Sequence, residues 1–157
     1  MDLAFSLKFG AVFFSGMFNG WASYVSAVEH PARQLSGTSA AITQFKMGFK
    51  RVAGGQITWG ILSGGCCTWL YFLTKNALWL APPACMILIA NAYTLVFMMP
   101  TNHQILDDKA LDNVENKDRK AHLDGLMSKW GKLHAFRAVL GIVASVIPLF
   151  LVLRNKK

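Results

Sequence analysis

The chain has 157 residues, which supports a single domain over 1–157. Apolar residues make up 54% of it, aromatic residues 12% and charged residues 15%, against roughly 25% charged in a soluble domain; a disordered chain is excluded, and a soluble enzyme is disfavoured. The net charge of +8, from 16 basic and 8 acidic residues, would suggest nucleic acid in a soluble protein, but Lys and Arg also gather beside membrane spans and no basic stripe interleaves with aromatics, so no nucleic-acid partner is expected.

Four segments reach the length of about 20 apolar residues that a bilayer crossing needs. The first runs from Phe9 to Val28, the second from Val52 to Leu73, the third from Ala77 to Met99 and the fourth from Ala135 to Leu153. They predict an all-α fold: an integral membrane four-helix bundle. Val25-Ser26-Ala27 satisfies the small-residue rule for signal-peptide cleavage. The stretch before it carries Asp2 and only Lys8 as a positive charge, a poor match, so the segment reads as a span.

After the first span, Glu29-His30-Pro31 with Arg33 leads into a long connection with a Gly-Thr-Ser turn and a short helix predicted from Thr38. Thr74-Lys75-Asn76 joins spans two and three as a tight hairpin. Pro100-Thr101-Asn102 predicts a turn after span three. From Glu115 a helix is predicted, with Leu123, Leu126, Met127, Trp130 and His134 at helical spacing, continuing into span four without a break. Both long connections therefore share one membrane face and both termini the other. The positive-inside count, with most basic residues on the connection side, leaves the orientation open, with a lean toward outward or lumenal termini.

The polar residues converge at four span ends on the connection face. Trp130, His134 and Arg137 are spaced i, i+4 and i+7, hence on one side of their helix. Two readings stand for them. Ionisable groups in membrane spans point to function; equally, Arg137 can snorkel to headgroups with Trp130 as an interfacial anchor, and Glu29 can pair with Arg33. His103 and His122 read as solvated. Cys66, Cys67 and Cys85 lie in apolar runs without metal or disulfide spacing. Gly16-x-x-x-Gly20 and Gly60-x-x-x-Gly64 permit close helix packing, expected within the bundle. Asn19 and Asn91, at mid-span depth, need partners. An iron site from Glu29, His30 and His134 is disfavoured, because adjacent side chains on a helix diverge by about 100°; no metal site is expected.

Three strings carry a family resemblance: Val28-Glu29-His30-Pro31-Ala32-Arg33, Met99-Pro100-Thr101-Asn102, and Trp130-Gly131-Lys132-Leu133-His134 with Arg137 and Gly141. In their order and spacing the chain resembles the anthrone oxygenase-like family, DUF1772. The resemblance implies four membrane helices and oxidation of an anthrone methylene to a carbonyl with molecular oxygen as co-substrate and no cofactor. It implies His134 as base, His30 as the alternative base and Arg137 as oxyanion stabiliser, with Glu29, Arg33, Asn102 and Trp130 binding a small lipophilic aromatic. The competing expectation is a non-catalytic membrane bundle: a scaffold, a complex subunit or a lipophile binder.

Overall fold

The computed structural model describes residues 2–154, with the side chains at 87, 90 and 91 left out of that description. Among the described residues the fold is all-α, without strands. Helix α1 (Leu3–Tyr24) is capped by the Asp2 carboxylate, which accepts from the Ala4 N–H. It continues through a π-turn (Val25–Glu29) into α2 (His30–Leu35). Pro31 accounts for the turn, since its ring crowds the carbonyl four residues back and it has no N–H to offer. Correspondingly, the His30 N–H reaches the Val25 carbonyl, five residues back.

Ser36 and Gly37 reverse the chain, Gly37 at φ 87°, a conformation that suits glycine. The next helix, α3, runs from Thr38 to Thr74 in one piece of 37 residues. The expected short helix and the second span are thus one element. Nothing between them breaks it, because Gly54 and Gly55 cost only about 1 kcal/mol each in a helix interior and the run contains no proline.

The hairpin at Thr74-Lys75-Asn76 forms as expected, with Lys75 left-handed at φ 54° and the Asn76 side chain capping the next turn. Beyond it come a 3₁₀ turn (Ala77–Leu80), α4 (Ala81–Ile87), a π-helical stretch (Leu88–Met98) and α5 (Met99–Leu106). The turn expected at Pro100-Thr101-Asn102 is instead helix. Pro100 stands in the first turn of α5, where its missing N–H has no intrahelical partner to lose. Helix α6 (Lys117–Arg154) runs unbroken from the polar segment into the fourth apolar run, as its spacing predicts.

Helix α1 packs against α3 and α6, and α4 closes the ring by touching both α3 and α6. The connections are folded too. Ile42, Phe45, Ile105, Leu123, Met127 and Trp130 form a buried cluster, tied by Thr38 Oγ1 donating to Asp124 Oδ1 at 2.7 Å and by Arg119 donating to the Lys109 and Ala110 carbonyls.

By length and hydropathy, one described helix, α6, is long and apolar enough to cross a membrane; Ala77–Met86 is a shorter apolar helix. The other expected spans are diluted by polar residues such as Asn19, Gln56 and Ser63, or divided by the π-helical stretch.

Glycine packing differs between the two small-residue motifs. A Cβ at Gly60 would meet Phe18 and one at Gly64 would meet Pro83, whereas Gly16 and Gly20 face open space. The first motif therefore does not pack within the chain as expected. Gly10 and Gly55 do: a Cβ would lie 2.8 Å from Cys66 Sγ and from the Trp21 ring respectively. Asn19 accepts a long 3.4 Å hydrogen bond from Ser23; the Asn91 side chain lies outside the described residues.

Candidate functional site

Helices α1 to α6, with the π-turn and the π-helical stretch, surround a cavity of about 490 Å³, within the size range of small-molecule sites. Its walls are largely apolar, from Phe18, Phe45, Phe49, Val52, Met86 and Met98. Its polar lining is Glu29, Arg33, Gln56, Thr94, Asn102, Trp130, His134 and Arg137. Ile57 and Ile61 also line it while being exposed on the outside of α3, so the cavity communicates with the apolar exterior.

Of the seven residues expected at a site, six line this cavity; His30 does not. The His30 ring is buried behind Trp130, ring centres 5.3 Å apart, above Gly131, where any Cβ would overlap it. Burial first, and then the Arg33 charge, hold the His30 imidazole below its ordinary pKa.

Trp130 and His134 are stacked with centroids 4.7 Å apart, the outcome of their i, i+4 spacing. Phe45 meets the Trp130 ring edge-on at 5.0 Å. His134 is 2% exposed, and its Nδ1 lies 2.8 Å from Ser26 Oγ. Ser26 is presented there by the π-turn. When Nδ1 carries the proton and donates to Ser26, Nε2 is left as an acceptor.

Arg33 is 4% exposed, ion-paired to Glu29 one turn back and held over the Phe45 ring at 5.6 Å. The Glu29 carboxylate is thus committed to Arg33. Among the described residues no three His, Cys, Asp or Glu side chains are grouped to hold a metal ion.

Arg137 turns inward instead of snorkelling. It lies over the Phe18 ring at 5.8 Å and donates to Gln56 Oε1 at 2.5 Å. Gln56, 2% exposed, is the residue that sequence reasoning missed: one uncharged amide in an apolar run has no periodic signature, and its partner lies 81 residues away. The available signal was an amide one turn inside an apolar span, which needs a partner. Asn102 Nδ2 has only a 3.5 Å contact to Met99 Sδ.

Five buried polar atoms on lining residues have no partner: Arg33 Nε, Gln56 Nε2, Asn102 Oδ1, Trp130 Nε1 and Arg137 Nε. Unpaired buried groups cost roughly 1–3 kcal/mol each, and five of the nine found among the described residues belong to this one lining.

A family model described as Anthrone oxygenase matches residues 42–147. The match contains the Met99–Asn102 and Trp130–Arg137 motifs but starts after Glu29, His30 and Arg33. No curated protein and no solved structure matches the chain.

Proposed function

Because this chain belongs to the anthrone oxygenase family, we propose that it is a multi-pass membrane oxygenase acting on a flat lipophilic aromatic of the anthrone type. The observation that carries the reading is the cavity: apolar, of ligand size, and lined by His134, Arg137, Asn102 and Trp130 together. Its openness to the apolar exterior suits a substrate dissolved in lipid.

The membrane reading rests on the outer surface as well as on α6. Phe9 and Phe13 on α1, Ile57 and Ile61 on α3, Leu95 and Val96 on the π-helical stretch, and Val139 and Val143 on α6 are all exposed. Soluble monomers rarely show so extensive an apolar exterior.

The reaction balances without a further reductant. An anthrone CH₂ and O₂ become a quinone carbonyl and water. His134 Nε2, left as the acceptor when Nδ1 donates to Ser26, takes a methylene proton, leaving an electron-rich anthranolate. Arg137 stabilises the oxygen on which the charge collects. The anthranolate reduces O₂ and combines with it to give a hydroperoxide on the former methylene carbon. Loss of water from that adduct forms the second carbonyl. Trp130 supplies an N–H, and Asn102 an acceptor for a phenol. His30 serves from behind Trp130 as a positioning residue.

The test is oxygen uptake and anthraquinone formation by purified protein with emodin anthrone. The protein is expected to outpace spontaneous oxidation, and His134→Ala to lose the excess by about 10²–10⁴-fold. Equal rates with and without protein would reject the reading for that substrate. Binding without turnover would leave a lipophile-binding bundle.

A further inference from the structure

The unpaired buried atoms on the residues that line the cavity are not chemically balanced. Four are donors (Arg33 Nε, Gln56 Nε2, Trp130 Nε1 and Arg137 Nε) and one is an acceptor, Asn102 Oδ1. The charges are unbalanced as well. Arg33 is neutralised by Glu29, whereas Arg137 has a neutral amide and a ring face as its partners, and no carboxylate pairs with it among the described residues. Arg137 is half-buried, and a cation partly withdrawn from water without a counter-ion is costly. From these features we propose that Gln56 and Arg137 form a two-donor seat for an oxyanion, and that the cavity takes its aromatic ligand as the monoanion. This deepens the oxygenase reading and rests on it for the ligand class.

Gln56 sets the polarity of the seat. Its Oε1 is held by the Arg137 guanidinium at 2.5 Å, which fixes the amide so that Nε2 remains a donor. The seat therefore rejects a ligand that brings a donor to that point, and an alkoxy oxygen there accepts without supplying the charge. It accepts a phenolate or enolate oxygen, which supplies both the missing acceptor and the missing charge. The other ionisable groups lining the cavity are Glu29 and Arg33, paired with each other, and His134, engaged by Ser26. Tyr93, which neighbours Arg137 electrostatically, donates its hydroxyl to the Leu133 carbonyl. Among the described residues no acid competes with the ligand for Arg137. Trp130 Nε1 and Arg33 Nε remain for carbonyl or phenol oxygens elsewhere on the ring system.

Emodin, a hydroxyanthraquinone whose phenolate absorbs at longer wavelength than the phenol, reads the seat without turnover. Bound to the purified protein in detergent, it is expected to ionise at least about one pH unit lower than in protein-free micelles, a tenfold preference for the anion. Its fully O-methylated ether should bind at least tenfold more weakly. Gln56→Glu, which places a carboxylate against Arg137, should abolish the downward shift; Gln56→Met, of similar volume, should leave a smaller one. The proposal is overturned if bound emodin ionises at its micelle value, or if folded Gln56→Glu behaves as the unsubstituted protein. If Gln56→Glu does not fold, the ether decides, and equal affinity for emodin and its ether overturns the proposal. Anion preference without oxygen uptake on emodin anthrone rejects the oxygenase reading alone; uptake without anion preference rejects the seat alone.

Discussion

At Gly131 the backbone of α6 runs so close beneath the His30 ring that hydrogen is the only side chain accommodated there. Gly131→Ala is expected to push His30 and, through it, Trp130 toward the cavity. The overpacking should cost roughly 1–3 kcal/mol, read as a lower Tm, together with loss of emodin binding. Adding His30→Ala should restore much of the Tm, because it removes the ring that the new methyl meets; a double variant no more stable than Gly131→Ala would show that the clash lies elsewhere. His30 also carries a pH dependence. Its pKa is held below the ordinary 6.5 in the folded protein, so the unfolded chain takes up a proton that the folded one resists. The stability that comes from burying it neutral is complete above about pH 6.5 and falls as the medium is acidified below that value. Thermal unfolding of His30→Gln should accordingly show a flatter acid limb than the unsubstituted protein.

The π-turn is the element that presents Ser26 to His134 while leaving Glu29 in ion-pair reach of Arg33. Extra-residue turns of this kind recur at functional sites. Pro31→Ala returns the missing N–H and relieves the crowding at residue 27. The expected result is a regular α-helix there, equal or greater thermal stability, and at least tenfold lower turnover as Ser26 rotates away from His134. Unchanged turnover would separate the turn from the site. Legibility in the sequence follows the same physics. A 3.6-residue period and side chains one turn apart predict Trp130, His134 and Arg137 on one side of α6, and the structure brings all three to the cavity. Apolar run lengths give the helical content and the hairpin at Lys75. What the sequence hid depends on long-range geometry: whether Gly16 and Gly20 face a neighbour, whether His30 stands in the cavity or behind it, and what Gln56 meets. Pro100 looks like a turn residue, but the first turn of a helix tolerates it equally well.

For the whole molecule, the lengths of α3 and α6, 37 and 38 residues, are decisive. At 1.5 Å per residue each extends about 55 Å, well beyond the roughly 30 Å of a hydrocarbon core. On the multi-pass reading, both helices leave the bilayer on the face that carries the cluster of Phe45, Ile105, Leu123 and Trp130. The described ends at Asp2 and Arg154 then share the opposite face. With the three native cysteines replaced by Ala, a cysteine at position 2 and one at Asn113 should react with an impermeant maleimide from opposite sides of sealed vesicles; labelling of both from one side would exclude the topology. The reach of the two helices also sets what kind of kinetics the protein obeys. On the multi-pass reading, a cavity that opens to the apolar exterior through Ile57 and Ile61, yet carries its ionisable groups toward the end of the bundle that leaves the bilayer, draws one reactant from a two-dimensional solvent and exchanges protons with a three-dimensional one. Its saturation should therefore follow the mole fraction of substrate in the amphiphile, so that adding empty micelles at fixed total substrate slows the reaction by surface dilution.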